Sequence, residues 1–398
     1  MSKWRKSLLL LILLSFLLLT GCWSSKEIED LALYAGLALD VGQPAPVEEE
    51  FEAKGATYSK KNKVMATIQI VPTKSTSGDE KKKMIAPKHY INISASGDSI
   101  LEIFRQFSIR RDRPIIGHHL KVIVINSDLL KKQTIEQLMD FVLRDNDIRP
   151  STLVFISRGK AQNTLISSQP NEIPAFHIYG MIRNRSRTSK VIQAVTLSKL
   201  DGLMYSKRSL VLQNLETAKG ETEFSGVGII KGSTGHWIGN LNQEDTEGLA
   251  WIKNEGHAGV IKTYDRDNEP ITYEIKSMKS KTKVHVNDGK IAFHVSIKTE
   301  GRLIEIWNSK GHYTKDESNI KEVEELFKAK LKQTIDELMH KLQSVYKVDV
   351  AGFGEALALK DPRLWKSIKD DWDDLFSKTE VTFDYELKIT EFGSFTDE

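Results

Sequence analysis

The chain has 398 residues, with 57 Lys+Arg against 54 Asp+Glu and a formal net charge of +3. Hydrophobic residues make up 40% and charged residues 28%, the balance of a folded chain of two or three domains; a largely disordered chain and a polytopic membrane protein are excluded. The excess charge sits in residues 1–21, where Lys3, Arg5 and Lys6 meet no acid; beyond them 54 basic residues face 54 acidic ones. The chain as a whole therefore carries no basic footprint for DNA or RNA, and nucleic acid is not expected as a partner.

After its cationic start the chain runs through Leu8 to Leu19, apolar except for Ser15. At about 12 residues the run is shorter than the roughly 18–20 that span a bilayer, and it fits the apolar region of a secretory signal. It leads into Leu19-Thr20-Gly21-Cys22, two small residues and then the single cysteine of the chain. That arrangement resembles the lipobox of bacterial lipoproteins, in which the cysteine sulfur takes a diacylglyceryl group and the signal is cut just before it. The expectation is a signal peptide over 1–21 and a lipidated Cys22. The mature chain would be held at the extracytoplasmic face of the cell membrane, where two acyl chains anchor stably. A lone cysteine also excludes an internal disulfide and a zinc site built on cysteines.

Along the mature chain, Ile28, Leu31, Ala32 and Ala35 have helical spacing, with a strand following over 37–41. Residues 42–62 read as a loop, with Pro44, Pro46 and the acidic triplet Glu48 to Glu50. Val64 to Val71 alternates as a strand, and 73–88 reads as a solvated loop that includes Lys81 to Lys83. Ser99-x-x-Glu102 is a capping box ahead of Ile100, Ile103, Phe104 and Phe107 on one face. Leu120 to Asn126 reads as a buried strand. Thr134-x-x-Gln137 opens a second helix, and Ser151 to Ser157 is the next strand. That order predicts a right-handed crossover in a mainly parallel sheet.

A basic stretch over 183–190 suggests a boundary, placing an N-terminal α/β domain at 22–205 and a C-terminal region at 206–398. The latter divides into a strand-rich part, 206–310, and a helix-rich part with a closing strand, 311–398. Strands are expected at 224–230, 236–241, 258–264, 271–279, 282–287 and 290–306, with a short helix at 243–253. Asp288-Gly289 marks a hairpin. Ile320 to Val345 reads as a long amphipathic helix, Pro362 to Phe376 as another, and Val381 to Ile389 as a strand. The fold class is α+β or mixed α/β, with two to three domains, each a mixed sheet flanked by helices.

Chemistry is sparse. His118 and His119, read as extended chain, point to opposite faces and cannot share an ion. His285 and His294 share the polar face of the predicted hairpin as diagonal neighbours, without a third ligand. Gly226, Gly228 and Gly232 miss the spacing of a dinucleotide loop, and no phosphate-loop, nucleophile-elbow or zinc-protease motif occurs. Asp370, Asp371, Asp373 and Asp374 read as a charged helix face. No catalytic residue, cofactor or metal is expected, so the chain is read as a binding or assembly protein and not an enzyme. A substrate-binding lipoprotein of a transporter is the alternative, and a cell-envelope hydrolase a further one.

Four groups of residues, in order along the chain, resemble the Ger(x)C family, the lipoprotein C subunits of spore germinant receptors. They are Cys22-Trp23 with Glu27-Ile28 and Leu31-Ala32; Arg113 to Asn126 with Asp140-Phe141 and Arg144-Asp145; Phe224 to Gly228 with Trp237-Ile238-Gly239, Glu247-Gly248-Leu249 and Trp251; and Phe353-Gly354 with Trp365, Trp372 and a terminal strand ending at Gly393. Ser24 departs from the acid usual after the tryptophan. The resemblance implies mixed α/β domains and no catalytic activity. It also implies a place on the outer face of the inner spore membrane, beside integral-membrane A and B subunits, in a complex that senses nutrients and triggers germination.

Overall fold

The computed structural model describes residues 30–392 apart from 57, 73–87, 257 and 309–316, together with Trp4. Cys22, the apolar run before it, Lys81 to Lys83 and Gly393 lie outside the described residues. In chain order the elements begin with β1 (Ala32–Val41), α1 (Pro46–Ala53), β2 (Val64–Val71), β3 (Ile91–Gly97), α2 (Ile100–Ser108), β4 (Ile115–Ile116) and β5 (Val122–Asn126). Next come α3 (Ser127–Lys132), α4 (Ile135–Arg144), β6 (Leu153–Ser157), α5 (Pro174–Met181), α6 (Leu197–Tyr205), β7 (Leu210–Ala218), β8 (Glu221–Ile230) and β9 (Trp237–Leu241). They continue with α7 (Gln243–Ile252), β10 (Gly259–Tyr264), β11 (Pro270–Asn287), β12 (Lys290–Ile306), α8 (Glu317–His340), α9 (Phe353–Lys360), α10 (Pro362–Ile368), α11 (Trp372–Phe376) and β13 (Glu380–Phe392).

The strands form two sheets. The first has nine strands in the order β3-β2-β1-β5-β6-β7-β8-β9, with β4 paired beside β1. Its centre, β1-β5-β6-β7, is parallel, and its ends are antiparallel. Both faces are covered. Ile103, Phe107, Leu138 and Leu200 from α2, α4 and α6 pack on one face, and Leu165, Ala175 and Ile178 on the other. Burial of both faces explains why β5 and β6 are apolar at nearly every position. Strand β1 is buried on both faces too, so the helical spacing of Leu31 to Ala35 is overruled: Ala32 already pairs with Ile115. The second sheet, β10-β11-β12-β13, packs one face on helices α7, α8, α9 and α11 and turns Lys281, Lys283 and His285 outward.

Three other expectations are corrected. Residues 46–53, read as loop, form α1: Pro46 supplies the fixed first turn, and Glu48 turns inward to accept from the Ala45 amide at 2.9 Å and pair with Lys60 at 2.9 Å. The two strands expected at 271–279 and 282–287 are one strand, β11, with bulges near Tyr273 and Ser277 absorbing the irregular spacing. The helix expected over 362–376 is α10 and α11 joined by a tight turn at 369–371. The Asp288-Gly289 hairpin forms as predicted, both residues having positive φ, 49° and 78°.

Strands β7 to β9, which the sequence reading groups with the second half, hydrogen-bond into the first sheet. The link at β6–β7 is two residue pairs, Ile156–Asn214 and Ser157–Leu215. The two sheets are joined by one apolar core. Val227 and Ile229 of the first sheet and Leu249 and Trp251 of α7 meet Tyr273 and Phe293 of the second sheet and Phe327 and Leu338 of α8.

Candidate functional site: the cleft between the two sheets

Beside this shared core lies an open cleft of about 550 Å³. One wall comes from α6 and the loops around β7 and β8, with Lys199, Lys207, Arg208 and Lys231. The other comes from the C-terminal helices, with Glu355, Trp365 and Asp370. The Arg208 guanidinium sits 5.4 Å from the centre of the Trp365 ring and bridges the walls. Partial burial holds the Lys199 ammonium below its usual range, with Glu255 opposing the shift.

The C-terminal wall is organised by Asp349. Its carboxylate accepts from the amides of Ala351, Gly352, Phe353 and Gly354 at 3.0, 2.9, 3.2 and 2.5 Å, and from Trp372 Nε1 at 2.8 Å. One buried carboxylate thus satisfies the orphan donors at the start of α9 and pins the indole of α11 against them. Gly352 has φ +91°, open to glycine. At Gly354 an added Cβ would lie 2.6 Å from Trp372 Nε1 and 2.8 Å from the Trp365 ring. This accounts for Phe353-Gly354, Trp365 and Trp372 as one packing unit.

Asp373 fastens that unit to the first sheet. It accepts from the Asp349 amide at 3.0 Å and from Ser209 Oγ at 2.7 Å, while Ser209 Oγ accepts from the Gly232 amide at 3.0 Å. Burial pushes the Asp373 carboxyl up, against these hydrogen bonds. The reading of all four aspartates as a charged face is corrected for this residue: Asp370, Asp371 and Asp374 are exposed, and Asp373 is an inward hinge pin. Ser209 has its proton committed to Asp373, and among the described residues no histidine lines the cleft. The arrangement holds a joint together.

The second joint is at α7. Asp245 closes the Asn242 capping box, and both its carboxylate oxygens lie 2.7 Å from Lys341 Nζ. Tyr346 donates to the Asn240 carbonyl at 2.9 Å, its ring resting on Gly239, where any Cβ would overlap it. Gly248 packs against Leu338. Trp237-Ile238-Gly239 and Glu247-Gly248-Leu249 are therefore the seam between β9, α7 and the helix α8.

The remaining candidates are dispersed. His118 and His119 occupy a turn closed by the Leu120 amide and the Gly117 carbonyl at 2.9 Å, not extended chain; His118 is 3.7 Å from Asp147. Gly117 lets the Tyr34 hydroxyl approach, an added Cβ lying 2.8 Å from it. His294 meets Asp384 at 3.0 Å and His285 is exposed. Among the described residues no group of three or more His, Cys, Asp and Glu is placed to hold a metal ion. Gly226, at φ +75°, forms a close approach in β8 to the Leu241 carbonyl, not a phosphate loop. Asp349 and the Asp245–Lys341 pair escaped the sequence reading. The only signal for Asp349 was its place just ahead of Ala351-Gly352 at a helix start.

Two family models match, in order. One, described as "Spore germination protein N-terminal domain", covers residues 24–217, and the other, "Spore germination B3/ GerAC like, C-terminal", covers 225–393. Spore germination protein YndF of Bacillus subtilis (strain 168) is 38% identical over 400 aligned positions, covering 99% of this chain and 98% of the relative. The chain belongs to the GerAC-like family of spore germination proteins. Spore germination protein B3 of the same organism is 29% identical, covering 95% of this chain and 96% of its own. The crystal structure of the GerBC protein superposes with a TM-score of 0.61 at 25% identity, over 84% of this chain and 96% of that one. The two GerAC-like models meet between Thr217 and Ser225, within the β7–β8 hairpin and so inside the nine-stranded sheet.

Proposed function

We propose that this chain is the non-enzymatic C subunit of a nutrient germinant receptor. It is tethered by a lipid on Cys22 to the outer face of the inner spore membrane and docks there on integral-membrane A and B subunits. The observation that carries the reading is the match to spore germination proteins along nearly the whole chain, both family models in order. Support for the tether is Leu19-Thr20-Gly21-Cys22 behind a short apolar run. Among the described residues no helix is long and apolar enough to cross a membrane. Confinement to the membrane plane raises the effective concentration of the folded part at its partners. The transporter alternative calls for two similar lobes. The two sheets here differ in strand number and direction, which weighs against it.

The test is Cys22→Ala in spores. The expected result is loss of the lipid, release from the membrane fraction and a slowed nutrient response, with the purified chain unfolding at its normal temperature. A lipid-free protein that stays membrane-bound and supports a normal response would count against the tether.

A further inference from the structure

Helices α2 and α4 lie side by side on one face of the nine-stranded sheet. Helix α2 connects β3 to β4, and α3 with α4 connects β5 to β6; all four strands run parallel to β1, so α2 and α4 each run back against the strands and point the same way. Between them is a groove of about 760 Å³. Its floor is apolar: Phe104 and Phe141 stand with ring centres 5.4 Å apart, and Leu138 lies beside them. On its wall Leu101 is 46% exposed despite its apolar side chain. The nine residues of α2 make the groove about 13 Å long at 1.5 Å per residue, room for two to three turns of a helix.

One end of the groove is distinct. Ile115 lines it and pairs with Ala32, whose amide donates to the Pro114 carbonyl at 2.9 Å, so the chain joins the fold at this end. Asp145 and Asp147 stand there too, near the C-terminal end of α4, and after burial their charges are what lift the Tyr34 hydroxyl. Arg144 is turned to Asp140 at 2.9 Å. Seven residues lie between Cys22 and Asp30, eight Cα–Cα steps or at most about 29 Å of extended chain. A lipid on Cys22 therefore holds the acidic end of the groove close to the bilayer surface.

We propose that the α2–α4 groove is the docking site for an amphipathic helix of an integral-membrane partner. Its apolar face rests on Phe104 and Phe141, and a basic residue at its membrane-proximal end meets Asp145 and Asp147. The proposal rests on the tethered-subunit reading above. The short tether supplies the location, and the groove's length, floor and acidic end supply the chemistry of the occupant.

The test uses the full chain in spores, with a photoreactive benzophenone side chain placed at position 101 and, as control, at position 205, where Tyr205 is 93% exposed and outside the groove. The expected result is an adduct from position 101, at least fivefold above position 205, mapping to an amphipathic segment beside a membrane span of an integral-membrane protein. Leu101→Glu, at an exposed site, should cut co-purification with that protein at least tenfold and leave the unfolding temperature unchanged. An adduct to lipid or to a second copy of this chain, or no enrichment over position 205, overturns the proposal. Fractionation of the same spores separates the two failures. Lipid-bearing, membrane-bound protein without the adduct fails the groove alone. Soluble, lipid-free protein fails the tether and the groove with it.

Discussion

Asp349→Asn is the sharpest probe of how the C-terminal wall is built. The carboxylate, itself 8% exposed, takes three amides on Oδ1, and on Oδ2 the Gly354 amide and Trp372 Nε1, both buried hydrogen bonds. With the amide oxygen of asparagine in the Oδ1 position, its NH2 faces two donors that it cannot satisfy; flipped, it faces three. Each buried donor left unmet costs about 1–3 kcal/mol, so with two unmet the substitution should cost about 2–6 kcal/mol. The assay is urea unfolding of the chain carrying Cys22→Ala, followed by tryptophan fluorescence, with Asp361→Asn as a comparison. Asp361 also caps a helix, but it takes the Arg363 and Leu364 amides on one oxygen, in bonds that are exposed and partly buried, and asparagine caps a helix about as well as aspartate, so a change of no more than about 0.5 kcal/mol is expected there. A loss below about 0.5 kcal/mol for Asp349→Asn would refute the claim that this carboxylate organises α9 and α11.

Other consequences follow from the seam and from one buried acid. Lys341→Ala leaves the Asp245 carboxylate, 4% exposed, without its cation; because Lys341 is a third exposed, a loss of about 1–3 kcal/mol is expected, and Asp245→Asn in the same background should recover part of it. Gly239→Ala forces the Tyr346 ring aside and should cost about 1–3 kcal/mol by thermal unfolding, less when combined with Tyr346→Ala. Burial raises the Glu247 carboxyl from 4.5 to about 7, with Glu244 adding to the rise and Lys190 and Lys330 opposing it. The folded state thus holds this proton more tightly, and its contribution is fully present below pH 4.5 and lost as pH rises through 7. Glu247→Gln should flatten the pH profile of stability over that window and be about 1–2 kcal/mol more stable than the parent at pH 8, allowing for solvent screening. Parallel profiles for parent and variant would contradict this assignment.

The sequence was most legible where a local rule and the tertiary fold agree. Ser99 and Thr134 form the capping boxes they advertise, each side chain accepting from the third amide onward, and Asp288-Gly289 turns the hairpin in the predicted register, His285 opposite Ala292 and His294 opposite Lys283. It was misleading where apolar residues carry no period. Ala32 to Val41 is apolar on both faces because both are covered, so helical spacing and strand are indistinguishable there. The acidic triplet at 48–50 resembles a solvated loop, but Glu48 is a buried ligand for the Ser96 amide and hydroxyl, each at 2.9 Å, besides Lys60. Nothing local indicates that β7 to β9 belong to the first sheet, since that depends on two residue pairs more than 50 positions apart in sequence. For the cleft, the glycines and tryptophans were visible as motifs. The carboxylates that hold them, Asp349 and Asp373, acquire meaning only through burial.

The central claim, that this chain serves a nutrient germinant receptor, is tested most directly by deleting its gene in the host. Spore response would be scored to single nutrients and, in parallel, to a nutrient-independent trigger. The account predicts that one class of nutrient response is lost and the nutrient-independent response is kept, with the parental gene restoring the first. A normal response to every nutrient, in a strain also lacking paralogous chains, would contradict it.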